Sequence, residues 1–228
     1  MAMVVALVGP ATAAPQTAAD FAADCNADGF VEVSGNQRYV GGSGVLDKPC
    51  AVVMEPGAKL VLRRVELTGV GLVAISSPAR TTVKVVDSSI TMSGPLELTA
   101  GCCAGDSEVP EQKGRVVVRR SDLSGTSVQL IASFDWPKGR VLVTRSTIEA
   151  TGTLGIQIRA SDLAGDKGRV TVRRSSLASA GDLQIETGSN GYTKIRRSSA
   201  SATGTTLVTT GAGGICQSLR SSASLACS

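Results

Sequence analysis

The stretch GRVVVRRSDL, Gly114 to Leu123, recurs in recognisable form along the chain. Five further copies read KLVLRRVEL from Lys59, TVKVVDSSI from Thr82, GRVLVTRSTI from Gly139, GRVTVRRSSL from Gly168 and YTKIRRSSA from Tyr192. Measured from the residue aligned with Ser121, successive copies are 23, 33, 25, 29 and 23 residues apart. A unit of this length cannot bury its own apolar face, so it must stack on its neighbours. The variable excess over 23 residues indicates a fixed structural turn with insertions of different length.

Each copy alternates apolar and polar residues, as at Val116 and Val118, which is the period-2 pattern of a β-strand. A second apolar segment is centred eight to eleven residues after the aligned serine; it reads Leu96-Glu97-Leu98, Val128-Gln129-Leu130, Ile156-Gln157-Ile158 and Leu183-Gln184-Ile185. Two strands, a bend between them and a variable return loop describe one coil of a parallel β-helix. Leucine-rich repeats would need an amphipathic helical run, and a left-handed hexapeptide helix would need a six-residue apolar period; the sequence has neither.

The coil length and strand pattern resemble the right-handed parallel β-helix superfamily that includes pectate lyases, from about Ala58 to Gly211. The resemblance implies an all-β solenoid of about six coils. The segment Gln16 to Asp24 predicts a short helical cap over the first coil, whose apolar edge must be covered. We therefore divide the chain into a signal peptide (1–14), a cap with the first strands (15–57), the coils (58–211) and a disulfide-closed C-terminal cap (212–228).

Residues 1–14 form a short apolar run followed by small residues that include the A-x-A-like Ala11-Thr12-Ala13, which predicts export to a secreted or extracytoplasmic location. The basic region that usually precedes such a run is missing, and the alternative is a buried N-terminal strand. An even set of six cysteines fits this, because disulfides persist in oxidising compartments. We predict the pairs Cys25–Cys50 and Cys216–Cys227 at the two ends of the solenoid. For the adjacent Cys102 and Cys103, a vicinal disulfide, bonds to other chains and free thiols all stay open. No later run approaches the ~20 apolar residues of a membrane span.

The segment after the cap has part of the pattern of an EF-hand calcium loop. Asp24, Asn26, Asp28 and Glu32 occupy ligand positions, with a glycine at position 6, whereas Gly35 replaces the bidentate glutamate at position 12. Calcium is the one cofactor that this pattern suggests. The alternative is an Asp-Gly turn leading into a strand from Phe30 to Val33.

If the valines of each copy point inwards, the arginines between them point outwards in columns. The predicted glycan-binding residues are Arg63, Arg119, Arg173 and Arg196 in one row, and Arg115, Arg140 and Arg169 at the strand starts. The direction of the next row, Arg64, Asp87, Arg120, Arg145, Arg174 and Arg197, stays open because the chain bends there. The aligned Ser88, Ser121, Ser146, Ser175 and Ser198 would form an internal hydroxyl ladder that satisfies backbone groups.

These rows predict a non-catalytic module that binds an acidic polysaccharide or envelope glycan along a basic face. The other interpretation of the same rows is a solvated face, because the net charge is only +4. Trp136, the one tryptophan, lies in an insertion and is a candidate for stacking on a sugar ring. Aromatic residues make up 3% of the chain, too few to favour nucleic acid as the partner.

Two alternatives remain, a polysaccharide lyase and a purely structural or self-assembling surface protein. For a lyase, the resemblance to the pectate-lyase-like superfamily implies an arginine or lysine that abstracts a proton beside a carboxylate, commonly with calcium that neutralises the acid group of the substrate. No such cluster is visible in the sequence, so we name no catalytic residues. The oligomeric state is open.

Overall fold

The computed structural model describes residues 16–76, 80–101, 113–133, 138–160 and 167–227. They form an all-β parallel solenoid of about seven turns with one short N-terminal helix, and strands account for 61% of the residues. The predicted fold class is confirmed, with about one turn more than the six that the repeats indicate. The additional strands lie at both ends, in segments without the basic, valine-rich motif.

The first face of the solenoid is an eight-stranded parallel sheet that contains all six copies of the motif. Its strands are Asn36–Val40, Lys59–Arg63, Thr82–Val86, Arg115–Arg119, Arg140–Thr144, Arg169–Arg173, Tyr192–Arg196 and Ile215–Leu219. Val118, Val143 and Val172 are register partners in successive strands and are fully buried. The predicted hydrophobic column is therefore present.

A second face follows the bend and was not anticipated, because the repeat pattern predicts two strands per coil. Its strands are Ser43–Leu46, Glu66–Gly69, Ser89–Met92, Ser176–Ser179, Ser199–Ala202 and the first parts of Asp122–Ala132 and Thr147–Ala160. Most of these segments have four residues rich in serine, threonine, alanine and glycine, a composition typical of turns. A buried apolar residue, such as Leu67, Leu123 or Ile148, anchors most of them in the core, whereas Ser199–Ala202 contributes only the partly buried Ala200 and Ala202.

The third face contains the predicted second segments. Its strands are Phe30–Val33, Cys50–Met54, Leu72–Ser76, Leu96–Ala100, Leu183–Thr187, Thr206–Thr210 and the last parts of Asp122–Ala132 and Thr147–Ala160. Glu97, Gln129, Gln157 and Gln184 are register partners, as a surface amide row requires. The insertions between residues 100 and 113, 133 and 138, and 160 and 167 connect this face to the first face of the next coil.

The helix Ala18–Asp28 covers the first coil and ends about one turn later than predicted. Thr17 and Asp20 form a capping box at its start, and Phe21 and Cys25 are fully buried beneath it. Gly44 allows the close approach of the first coil, because a Cβ there would lie 2.4 Å from the carbonyl oxygen of Ala18. The helix therefore protects an edge that would otherwise be open to another strand.

The two predicted end disulfides, Cys25–Cys50 and Cys216–Cys227, are confirmed. The first ties the capping helix to the third face, and the second ties the last first-face strand to the C-terminal segment. A short 3₁₀ helix, Ala223–Leu225, lies in that segment and buries Leu225. Cys102, Cys103 and the proposed signal peptide lie outside the described residues.

Candidate polyanion-binding surface

The cationic residues are concentrated on one side of the solenoid, which we call the basic side. It consists of the first face, the bend position directly after each first-face strand and the entrance position two residues before it. Eleven cations lie in first-face strands, six at bend positions and four at entrance positions, so the basic side holds 21 of the 23 in the chain. Asp87 is the one acidic residue at these aligned positions, all of which are among the described residues.

The seven arginines predicted from the sequence fall into two columns of the first face. Arg115, Arg140 and Arg169 are consecutive register partners at the strand starts. The strand ends form a second column, in which Val86 and Thr144 interrupt the row of Arg63, Arg119, Arg173 and Arg196. Since strands in a sheet are ~4.8 Å apart, neighbouring members of a column are spaced at that interval.

Arginines in these columns raise one another's electrostatic energy. Burial lowers the pKa of Arg140, and the charges of Arg115 and Arg169 on the adjacent coils lower it further. The pKa of Lys84 falls for the same reasons, through burial and then the charges of Lys59 and Arg115. Each neighbouring pair of like charges repels by about 1 kcal/mol in a water-like dielectric. The surface tolerates this, and an anionic ligand would relieve it.

The bend position has a left-handed backbone in every coil. Its residues are Gly41, Arg64, Asp87, Arg120, Arg145, Arg174, Arg197 and Arg220, and the non-glycine members have φ between 49° and 54°. This conformation costs an L-residue roughly 1–2 kcal/mol, and glycine adopts it without that cost. Only the first coil uses glycine. The sequence left the direction of these arginines open, and the structure exposes all six to solvent.

The repeated bend is held by hydrogen bonds between coils. The backbone N–H of Arg145 donates to the carbonyl oxygen of Arg173 on the next coil over 2.9 Å. The N–H of Ser121 donates to Oγ of Ser146 over 3.3 Å, and Ser146 Oγ in turn donates to the carbonyl oxygen of Thr144 over 3.0 Å. The same pattern recurs at Ser88, Ser175 and Ser198, which confirms the predicted hydroxyl ladder as a structural feature. The left-handed backbone is thus fixed whatever side chain the bend carries.

The bend residues line a groove beside the second face, here called the bend groove, and its N-terminal half contains acids. Arg64, Glu66, Asp87, Arg120 and Asp122 line this half together. Asp87 forms an ion pair with Arg120, in which Nη2 of Arg120 donates to Oδ2 of Asp87 over 2.8 Å. The hydrogen bond from Arg120 lowers the pKa of Asp87, and the same bond raises the pKa of Arg120. The positive charges of this half are therefore largely neutralised by the acidic side chains that line it.

The C-terminal half of the bend groove has the opposite character. Arg145, Arg174 and Arg197 line it with hydroxyl residues that include Thr147, Ser176 and Ser199, and no acidic side chain contributes among the described residues. The charges of Arg173 and Arg145, burial, and the charges of Arg197 and Arg196 all lower the pKa of Arg174. Three exposed guanidinium groups on consecutive coils therefore share a pocket that no acidic residue of the described chain lines, and Asp122 and Glu149 line the neighbouring pocket with Thr147.

The predicted calcium loop is not formed. Asp24, Asn26 and Asp28 lie within the helix Ala18–Asp28, whereas an EF-hand loop wraps its ligands around the ion. The amide of Asn26 donates to the carbonyl oxygen of Val45 over 2.8 Å and accepts from the N–H of Asp47 over 2.9 Å. The helix continues because its apolar face packs on the first coil, and it ends at Gly29 with φ of 77°.

The alternative, an Asp28-Gly29 turn into the strand Phe30–Val33, is the arrangement found. Glu32 lies in this strand. Within the part of the chain that the structure describes, no three cysteine, aspartate or glutamate side chains form a group suited to a metal ion.

Trp136, the remaining predicted binding residue, lies outside the described residues.

Comparison with protein-family models, curated proteins and solved structures gave no significant match. No helix within the described ranges has the length and apolar character needed to cross a lipid bilayer.

Proposed function

We propose that this protein is a non-catalytic module that binds an acidic polysaccharide or envelope glycan along its basic side. The observation that carries the proposal is the distribution of charge: 21 of 23 cations share one side of the solenoid, and Asp87 is the one acid at the same positions. A solvated face has no need of this segregation, since opposite charges interspersed on it would remove the repulsion.

The form of the surface favours a linear polymer over a small molecule. The arginine columns run from coil to coil along the solenoid axis, with one position every ~4.8 Å. A polymer lying along them would meet a cation at nearly every coil, and each anionic group would release bound counterions from both partners. Arginine suits this role because its planar guanidinium group binds oxyanions through two parallel hydrogen bonds.

We also infer that the protein is exported and that its solenoid is a right-handed β-helix related to the pectate-lyase-like superfamily. Two disulfides support export, because such bonds persist in oxidising compartments. The coil of short parallel strands with variable insertions at one corner supports the relationship. A glycan of the cell envelope or its surroundings is the polyanion available to an exported protein.

The test is retention on a column that carries a polyanionic glycan, eluted with a salt gradient. The variant Arg119→Ala/Arg173→Ala/Arg196→Ala removes three charges from one column of the first face. We expect it to elute at clearly lower salt than the unmodified protein, because each lost contact reduces the salt dependence of binding.

A charge-matched control separates position from net charge. The variant Val53→Glu/Gln129→Glu/Gln184→Glu lowers the net charge by the same three units at third-face positions. We expect it to elute close to the unmodified protein. Equal elution of the two variants would refute binding along the basic side. Release of unsaturated sugars from the glycan would instead support the lyase alternative, and higher-order assembly without retention would support the structural one.

A further inference from the structure

The two halves of the bend groove differ in charge although their backbone is the same. Arg64 and Arg174 both have left-handed backbones, with φ of 54° and 52°, and both are exposed. Beside Arg64 the groove contains Glu66 and Asp87, whereas beside Arg174 it contains Ser176. An anionic ligand is repelled by the first environment and attracted by the second.

The arginines are not required by the bend itself. Gly41 occupies the equivalent place in the first coil, and the inter-coil bonds at this position come from backbone groups and from the neighbouring serine. Arginine at a left-handed position costs conformational energy that glycine avoids. Backbone strain of this kind concentrates at functional sites. The six bend arginines therefore need an explanation beyond folding, and Arg145, Arg174 and Arg197 differ from Arg64 and Arg120 in lining a pocket to which no described acidic residue contributes.

The donors of the C-terminal half suit a tetrahedral oxyanion. A guanidinium group occupies two oxygens of its partner through parallel hydrogen bonds, which uses both oxygens of a carboxylate. A sulfate or phosphate group has a further terminal oxygen, and a hydroxyl donor lies two residues beyond each arginine, at Thr147, Ser176 and Ser199. Ser146 Oγ is already engaged with the carbonyl oxygen of Thr144, whereas the hydroxyls of Thr147, Ser176 and Ser199 lie on the outer side of the second face. Among these, Ser199 Oγ donates to Ser176 Oγ over 3.4 Å, a long hydrogen bond that an oxyanion can replace.

We propose that the C-terminal half of the bend groove binds the sulfate or phosphate groups of the glycan, with one arginine and one hydroxyl of each coil to each group. The residues are Arg145, Arg174 and Arg197 with Thr147, Ser176 and Ser199. This inference rests on the proposed function, since it names the groups recognised and the segment that recognises them. The N-terminal half binds no such group, because Glu66, Asp87 and Asp122 compete for its arginines.

Three polymers of matched chain charge test the proposal by calorimetry with the full chain: dextran sulfate, linear inorganic polyphosphate and polygalacturonate. We expect dextran sulfate or polyphosphate to bind at least tenfold more tightly than polygalacturonate, whose charges are carboxylates. The tighter of the first two identifies the source of the oxyanion as sulfate ester or phosphate.

A matched pair of variants locates the site. Arg174→Gly and Arg64→Gly remove the same charge from the same backbone conformation, and glycine is compatible with that conformation at both places. For the preferred polymer we expect about a tenfold increase in Kd for Arg174→Gly and less than threefold for Arg64→Gly. Ser176→Ala should weaken the preferred polymer about threefold and leave polygalacturonate binding unchanged.

Each contrary result has a separate meaning. Equal losses for Arg174→Gly and Arg64→Gly would overturn the site while leaving general binding to the basic side intact. Equal affinity for polygalacturonate and the other two polymers would overturn the preference for tetrahedral groups. Failure of the unmodified protein to bind all three polymers would overturn the proposed function itself.

Discussion

Replacing the bend arginine Arg174 by glycine should stabilise the protein, although the change removes a long side chain. The left-handed conformation, φ of 52° at this residue, costs an L-amino acid roughly 1–2 kcal/mol, which glycine avoids. Against this, glycine loses about 0.5–1 kcal/mol more chain entropy on folding. Loss of repulsion from Arg173, Arg145 and Arg197 acts in the same direction, although solvent and salt screen it. We expect a net gain of up to about 1.5 kcal/mol in the free energy of unfolding.

The adjacent residue supplies the control. Arg173 is the last residue of the strand Arg169–Arg173 and has an extended backbone, so Arg173→Gly removes the same side chain where glycine has no conformational advantage. We expect a loss of about 0.5–1 kcal/mol. Urea unfolding followed by circular dichroism measures both variants, and the urea dependence should stay the same. A destabilised Arg174→Gly, or changes of the same sign in both variants, would refute the reasoning.

Three further perturbations test the rest of the fold. Ser146→Ala leaves the N–H of Ser121 without its acceptor in the core and should cost about 1–3 kcal/mol in urea unfolding. Burial raises the pKa of Tyr39 to about 12, and the charges of Asp24 and Asp20 add to the effect. The neutral phenol therefore makes its full contribution to the free energy of unfolding below pH 10. We expect about 2–3 kcal/mol of this contribution to be lost as the pH rises to 12. Tyr39→Phe should remove that alkaline loss in unfolding curves measured at pH 9 to 12, since an unperturbed tyrosine titrates at about 10. The pair Cys25→Ala/Cys50→Ala opens a loop of 25 residues and should cost about 3.5 kcal/mol, measured by unfolding with and without reductant.

Each of these has a clear contrary outcome. Ser176→Ala alters an exposed serine on the next coil and should change stability by less than about 0.5 kcal/mol, so equal effects of Ser146→Ala and Ser176→Ala would contradict the hydroxyl ladder. The hydroxyl of Tyr39 has no hydrogen-bond partner among the described residues, so Tyr39→Phe should lose no stability at pH 7. A large loss there would reveal a partner. If the unmodified protein has the same free energy of unfolding with and without reductant, the disulfide has no stabilising role.

The strands of the first and third faces could be predicted from the sequence because each face repeats a simple alternation of apolar and polar residues. Buried valines alternate with exposed cations in strands such as Arg169–Arg173, and the apolar pairs of the third face flank one polar residue. Parallel in-register stacking then follows from the repeat itself, since identical side chains meet when identical segments pair. The arginine columns were therefore predictable residue by residue.

The second face and the end coils were missed for a different reason. A four-residue strand such as Ser199–Ala202 has the composition of a turn and becomes a strand only because its neighbours supply hydrogen bonds on one side. Similarly, Asn36–Val40 and Ile215–Leu219 lack the repeat motif but pair with strands that have it. Pairing with neighbouring strands determines the secondary structure of these segments, and such pairing cannot be predicted from the local sequence pattern.

Local pattern also misled at two places that bear on function. The residues from Asp24 to Asp28 match part of a calcium-loop pattern, but packing of Phe21 and Cys25 on the first coil extends the helix through them. The bend arginines gave no sign of a left-handed backbone, because arginine is not a residue that favours it. The signal that was present is their position: each directly precedes the residue aligned with Ser121, where the first coil has a glycine.

The most direct test of the central claim is the stacking of equivalent residues on successive coils. In a methyl-labelled sample of the full chain, nuclear Overhauser contacts report which valine methyl groups are neighbours. We expect contacts between Val118 and Val143 and between Val143 and Val172, since register partners on adjacent strands are ~4.8 Å apart. If these contacts are missing while those within single strands are present, the columns do not exist and the basic side is not a continuous surface.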